Sequence, residues 1–126
     1  HLGFMMPGPV QRAMAVALAD GDHVAAQREI YHARRTKLLG ALDAAGLTND
    51  PDSVAGLYLW ARAEGASSWD IVNACAELGI VVAPGTFYGG AGDGYVRMSL
   101  TAPDSAIDAA CERLARLPEV LKRISD

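Results

Sequence analysis

The spacing of apolar and polar positions divides the chain into helical and strand-like stretches. Residues 9–19 open with Pro9, suited to a first helical turn, and place Val10, Met14, Ala17 and Leu18 on one face. "DGD" interrupts at residues 20–22, and Asp22 is expected to cap the helix that follows. In that helix Val24, Tyr31, Leu38 and Ala45 recur every seven residues, joined by Ile30, Ala41 and Leu42, until Gly46 supplies a left-handed stop. At 1.5 Å per residue it is about 35 Å long. A compact domain of this size needs less, which suggests a strut between two bodies.

The second half alternates strands and helices. "VAGLYLWA" (residues 54–61), bounded by "NDPDS" and "EGASS", reads as a strand. Ser67 and Asp70 form a capping-box pattern ahead of "WDIVNACAEL", which Gly79 closes. "IVVA" reads as a short apolar strand, a glycine-rich loop follows, and "YVRMSL" (residues 95–100) reads as another strand. Thr101 with Asp104 forms a second cap-like pair. It opens a helix that carries Ile107, Ala110, Cys111, Leu114 and Leu117 on one side, and Pro118 restarts or kinks that helix into "EVLKRIS". The pattern predicts an α+β layer: a sheet of about three strands with helices packed on one face, and a first stretch of about 20 residues outside it.

Composition narrows the function. The 126 residues are enough for one domain with a real core; 51% are hydrophobic and 21% charged, which excludes a disordered tail. The longest apolar runs, "AMAVALA" and "GIVVA", fall far short of the ~20 residues of a membrane helix. "AMAVALADGD" lacks the basic stretch ahead of it that a secretion signal carries. A net charge of −4, with no basic cluster beyond "ARR", argues against a nucleic-acid partner. Cys75 and Cys111 form no CxxC pair and read as buried thiols, which fits a reducing compartment such as the cytoplasm. His1, His23 and His32 lack metal-ligand spacing. The chain opens at His1 inside a loop-like "HLGFMMPGP", so it is expected to be a piece of a longer polypeptide.

The chemistry concentrates in "PGTFYGGAGDGYVRMSL", residues 84–100. Alternation along the strand sends Val96, Met98 and Leu100 one way and Tyr95, Arg97 and Ser99 the other. Arg97 is then either a solvent-facing arginine on a half-exposed sheet or an anion-binding arginine at the edge of a cleft. The neighbouring loop favours the cleft. Gly85, Gly89, Gly90, Gly92 and Gly94 permit close backbone approaches, and "TFY" supplies a hydroxyl and two rings for a pocket wall. A guanidinium on a rigid strand is suited to hold a carboxylate in a two-bond fork. "GGAGDG" does not have dinucleotide-loop spacing and leads into a strand. No phosphate-binding GxxxxGK[ST], GxSxG elbow or Ser/His/Asp set is present.

"GIVVAPGTFYGGAGDGYVRMSLT", with "AGLYLWA" some twenty residues before it, resembles the C-terminal part of the class I/II aminotransferases, pyridoxal-phosphate enzymes of fold type I. Within that family "MPGPVQRAM", "GLYLW" and "APGTFYG" are most similar to the actinobacterial succinyldiaminopimelate aminotransferases of lysine biosynthesis. The resemblance implies that residues 1–21 end a large cofactor-binding domain, and that 22–126 form the small C-terminal domain with its long linking helix. It implies that Arg97 grips the α-carboxylate of an amino-acid substrate, with Gly85, Thr86, Phe87 and Tyr88 lining the active-site mouth. Tyr58 and Trp60 are expected to be packing residues. The resemblance further implies a homodimer that moves an amino group from glutamate to a 2-oxo acid such as N-succinyl-2-amino-6-oxopimelate. The family's Schiff-base lysine has no counterpart, because neither Lys37 nor Lys122 has its loop setting. Pyridoxal 5'-phosphate would then be held mainly by a large domain upstream, and these residues alone would not catalyse transamination. Two alternatives stand beside this: another fold-type I enzyme, such as an acyl-CoA condensing synthase, and a freestanding carboxylate-binding α+β module.

Overall fold

The computed structural model describes Gly3 and residues 5–125. The opening "HLGFMMPGP" therefore lies partly outside the described residues, at His1, Leu2 and Phe4. Two compact units are present, with the division between Ile30 and Tyr31.

In the first unit, α1 (Gly8–Ala19) has proline in its first turn, and none of its residues is buried. The expected apolar face of Val10, Met14, Ala17 and Leu18 is therefore exposed. α2 (Asp22–Ala44) begins where expected, but Asp22 is not its cap. The Asp20 carboxylate accepts the Asp22 backbone N–H at 3.0 Å, so the capping group sits two residues earlier. α2 continues past the division into the second unit.

The second unit is the α+β layer. Leu38, Leu42 and Ala45 are buried and Tyr31 packs against them, whereas Val24 and Ile30, earlier in the helix, are exposed. Gly46 ends this segment at φ +76. Four strands follow, all antiparallel and in spatial order β1-β2-β4-β3: β1 (Leu47–Asn49), β2 (Tyr58–Ala63), β3 (Ala83–Pro84) and β4 (Tyr95–Ser99). The sequence pattern predicts about three; the additional strand is β1, too short to show a period.

Two strands differ in extent from expectation. β2 starts at Tyr58 rather than residue 54, because the backbone of residues 50–55 is engaged elsewhere: Asp50 accepts the backbone N–H of Asp52 at 2.9 Å, and the Arg35 guanidinium on α2 donates to the Ser53 and Ala55 carbonyls. Of "IVVA" only Ala83 enters the ladder. Ile80 and Val82 pack on the core, while Val81 is almost fully exposed.

α3 (Ser68–Glu77) shows the expected capping box. The Ser67 hydroxyl accepts the Asp70 N–H, and the Asp70 carboxylate accepts the Ser67 N–H at 2.8 Å. Ile71, Ala74 and Cys75 recur on its inner face and are fully buried. At its end the Ile80 N–H reaches back to the Cys75 carbonyl at 2.8 Å across Gly79. α4 (Asp104–Leu114) departs from expectation at its start. Pro103 occupies the cap position, Thr101 shares a 2.6 Å hydrogen bond with Ser99, and Asp104 pairs with Arg34. α5 (Leu117–Ser125) restarts at Pro118 as read from the sequence.

Leu59, Ala61 and Ala63 of β2 and Val96 and Met98 of β4 meet Ile71, Leu114 and Leu117 in a continuous core. Each fully buried leucine contributes roughly 1.5–3 kcal/mol. Helices thus cover one side of the sheet. The other side carries the candidate site.

Candidate functional site

The register across β2 and β4 determines what surrounds Arg97. Trp60 lies directly opposite Arg97, Tyr58 opposite Ser99 and Arg62 opposite Tyr95. Side chains alternate, so burying Leu59, Ala61, Val96 and Met98 turns Tyr58, Trp60, Arg62, Tyr95 and Arg97 to the uncovered face.

These side chains form a row of rings with a cation at each end. The Arg97 guanidinium stands 4.2 Å from the centre of the Tyr58 ring and 5.3 Å from that of Tyr88. Tyr88 meets Trp60 edge-on at 5.5 Å, Trp60 stacks on Tyr95 at 5.5 Å, and Arg62 lies 5.6 Å from the Tyr95 ring. Each cation–π contact is worth about 0.5–1 kcal/mol where partly exposed, and the edge-on and stacked ring pairs contribute on a similar scale. Arg97 itself is half-buried, and among the described residues it forms no ion pair and no hydrogen bond. Its N–H groups are therefore available to an incoming oxyanion, while the rings restrict where the guanidinium can swing.

The glycine segment brings Tyr88 to this face. Gly85–Tyr88 and Gly90–Gly92 are two successive 3₁₀ turns. They close on each other at Gly85 and Gly92, both buried, where a Cβ on Gly85 would stand 2.1 Å from the Gly92 carbonyl oxygen. The Ser68 hydroxyl donates to that same carbonyl at 3.1 Å, and the Asp93 carboxylate accepts the Ser68 and Gly94 N–H groups at 3.2 and 2.9 Å. The loop is thereby tied to the start of α3.

Of the residues singled out in the sequence, Arg97 and Tyr88 come together here. Gly85 serves the close approach just described. Phe87 turns to Trp69, edge-on at 6.1 Å, and the Thr86 carbonyl accepts the Gly89 N–H at 3.3 Å. Tyr58 and Trp60, expected to be packing residues, do pack on their neighbours, and they do so on the arginine's face, Tyr58 4.2 Å from the guanidinium. Their shared parity with Arg97 across the β2–β4 register is the signal that could have found them. A cavity of about 360 Å³ lies elsewhere, among Ile80, Val82, Met98, Ile107 and Leu114, with Arg113 as its only ionisable lining residue.

The lysines and cysteines lie away from this row of rings. Lys37 binds the Asp108 carboxylate, which raises its pKa first through the hydrogen bond and then through charge. Lys122 is exposed on α5. Burial pushes the Cys75 thiol up to about 11, and it also raises the pKa of Cys111; both cysteines are free. No group of three His, Cys, Asp or Glu among the described residues could hold a metal. No described helix is long and apolar enough to cross a membrane.

The family model "Aminotransferase class I and II" matches residues 1–114. The chain is 49% identical over 114 residues to the 4-dedimethylamino-4-oxo-anhydrotetracycline transaminase OxyQ of Streptomyces rimosus, covering 90% of this chain and 31% of that protein. It is 45% identical over 112 residues to the LL-diaminopimelate aminotransferase of Oleidesulfovibrio alaskensis, covering 86% of this chain and 28% of that protein. The aromatic aminotransferase from Pyrococcus horikoshii OT3 superposes with a TM-score of 0.79 at 28% identity, over 91% of this chain and 32% of that one. The chain spans roughly a third of the length of these relatives. A motif-bearing segment around Arg97, a matching small-domain architecture and a family match over nine-tenths of the residues agree: the chain belongs to the class I and II aminotransferases.

Proposed function

We propose that these residues are the C-terminal part of a pyridoxal-phosphate-dependent aminotransferase. Residues 1–21 end its large domain and 22–126 form its small domain. Arg97 binds the α-carboxylate of the amino-acid substrate. The observation that carries this reading is a guanidinium on a rigid strand, held against the rings of Tyr58 and Tyr88, with its N–H groups unengaged. Fork geometry matches a carboxylate, and fixing that carboxylate orients the carbon whose amino group is exchanged.

The cofactor does not fit the described residues by themselves. Pyridoxal phosphate needs a lysine amine for its Schiff base, a phosphate cradle and a carboxylate at the ring nitrogen. Lys37 is held protonated by Asp108 on a helix, and Lys122 is exposed on α5. The cofactor's binding residues and the lysine are assigned to the large domain, and residues 1–126 alone are expected to be inactive.

Glutamate is proposed as amino donor and N-succinyl-2-amino-6-oxopimelate as acceptor, in a cytoplasmic homodimer of lysine biosynthesis. The 45% identity to a protein named for LL-diaminopimelate supports an acceptor of that carboxylate-rich class. A polycyclic ketone is a second acceptor class, supported by the identity to the tetracycline transaminase and by the row of rings beside Arg97.

In the intact enzyme, Arg97→Ala should lower kcat/KM for the amino donor by about thirtyfold or more, at least ~2 kcal/mol for a lost desolvated charge pair. Arg97→Lys should recover little, since an ammonium cannot reproduce the fork. Assaying both variants against glutamate with each acceptor class tests the reading, and an alanine variant with near-normal kcat/KM would refute it.

A further inference from the structure

The "ARR" cluster on α2 has so far entered only as charge, yet Arg35 is the one arginine with a buried side chain among the described residues. No carboxylate among the described residues pairs with it. Its guanidinium instead donates to three backbone carbonyls: Ser53 at 2.6 Å, Ala55 at 2.6 Å and Tyr58 at 3.3 Å. A buried cation compensated only by carbonyl dipoles is costly unless the geometry around it is kept, so the guanidinium and the 53–58 segment fix each other.

Tyr58 is both the last of these three acceptors and the residue whose ring lies 4.2 Å from Arg97. It is the first residue of β2, where a strand is ordinarily free to fray. The preceding turn offers little restraint of its own: Asp50 organises only residues 52 and 53. Arg34, one residue before, secures the partner strand. It donates to the Leu100 carbonyl at 3.0 Å and pairs with Asp104 at 2.5 Å, and the Leu100 N–H bonds the Leu57 carbonyl at 2.8 Å. The two arginines thus hold the start of β2 and the end of β4, the two strands that carry Tyr58 and Arg97.

We infer that Arg35 is a positioning residue for substrate binding. From the covered side of the sheet it anchors the backbone of Tyr58, whose ring in turn fixes the Arg97 guanidinium for the substrate carboxylate. This rests on the reading of Arg97 as the carboxylate-binding group. Arg35 touches no substrate; its influence passes through one carbonyl and one ring.

The test uses the intact enzyme with L-glutamate as donor, comparing Arg35→Lys, Tyr58→Leu, the double variant and Arg97→Ala. Lysine keeps the charge but cannot span three carbonyls. Arg35→Lys is expected to raise KM for L-glutamate about fivefold, the scale of one cation–π contact, with kcat within about twofold. Tyr58→Leu should raise KM similarly. The double variant should be no worse than Tyr58→Leu alone, because both changes remove the same restraint. A merely structural role for Arg35 would lower the melting temperature, leave KM unchanged and add independently to Tyr58→Leu; that pattern overturns the inference. Should Arg35→Lys fail to fold, Tyr58→Leu with unchanged KM overturns it equally. Unaltered KM and kcat in Arg97→Ala, or no turnover of L-glutamate by the wild type, would instead overturn the site reading beneath it.

Discussion

Gly85→Ala adds one methyl group at the tightest backbone contact of the glycine segment. An ideal Cβ there would stand 2.1 Å from the Gly92 carbonyl oxygen and 2.8 Å from that of Tyr95. Ordinary contact begins near 3.5 Å, so the two turns must separate by more than about 1 Å. Neither obstacle is a side chain that can rotate away. Separation pulls Gly92 from the Ser68 hydroxyl, now at 3.1 Å, and strains the pairing of Pro84 with Val96. Overpacking strain of about 1–3 kcal/mol and a weakened hydrogen bond worth about 1 kcal/mol together predict a loss near 3 kcal/mol. Gly92→Ala meets the same contact from the other side, at 2.2 Å from the Gly85 oxygen, and should cost as much. The double variant should cost far less than the sum, since the gap needs opening only once. Gly90 is the internal control: it has no positive φ and nothing within 4 Å of its Cβ position. Gly90→Ala should stay within about 0.5 kcal/mol of the parent. Urea denaturation of the intact enzyme, followed by tryptophan emission and compared at equal m-value, measures all four. If Gly85→Ala unfolds at the same urea concentration as Gly90→Ala, the close approach is not a constraint and the reasoning fails.

Two further predictions concern α3. Ser67→Ala should cost about 1 kcal/mol by removing one half of the capping box. Because hydrogen bonds from Ser67 hold the Asp70 carboxyl below its ordinary 3.8, the cap's contribution is complete above that value and is lost as pH falls through the lower folded one. NMR titration of Asp70 should move upward in Ser67→Ala; an unmoved carboxyl would contradict the assignment. Cys75 is fully buried, with its thiol pKa raised to about 11, so iodoacetamide at pH 8 should label partly exposed Cys111 well before it. Equal labelling rates by mass spectrometry, without unfolding, would count against the packing described.

What was legible in the sequence was local. The parity of Tyr95–Leu100, the Ser67–Asp70 box and the stop at Gly46 each depend on residues within a few positions of one another, and each appears as expected. β1 escaped because three residues show no period. The start of β2 was misplaced because the groups that keep residues 53–55 out of the strand belong to Arg35, about 20 positions earlier. Similarly, Arg97 and Tyr88 could be paired from one short segment. Tyr58 could not, since its place beside Arg97 exists only once β2 and β4 are in register.

That register also separates stability from chemistry. Leu59, Val96 and Leu100 are wholly excluded from solvent, while Tyr58 and Tyr88, in contact with Arg97 on the uncovered face, remain substantially exposed. The contacts that Arg97 makes within the chain are cation–π contacts worth about 0.5–1 kcal/mol each, a gain that an apolar side chain packed on the same rings would match. Fold stability therefore does not account for a guanidinium at this position. What an apolar residue would lack is the charged, directional edge left open beside Tyr58 and Tyr88. An oxyanion of fitting geometry would complete it, which is the role proposed above for Arg97.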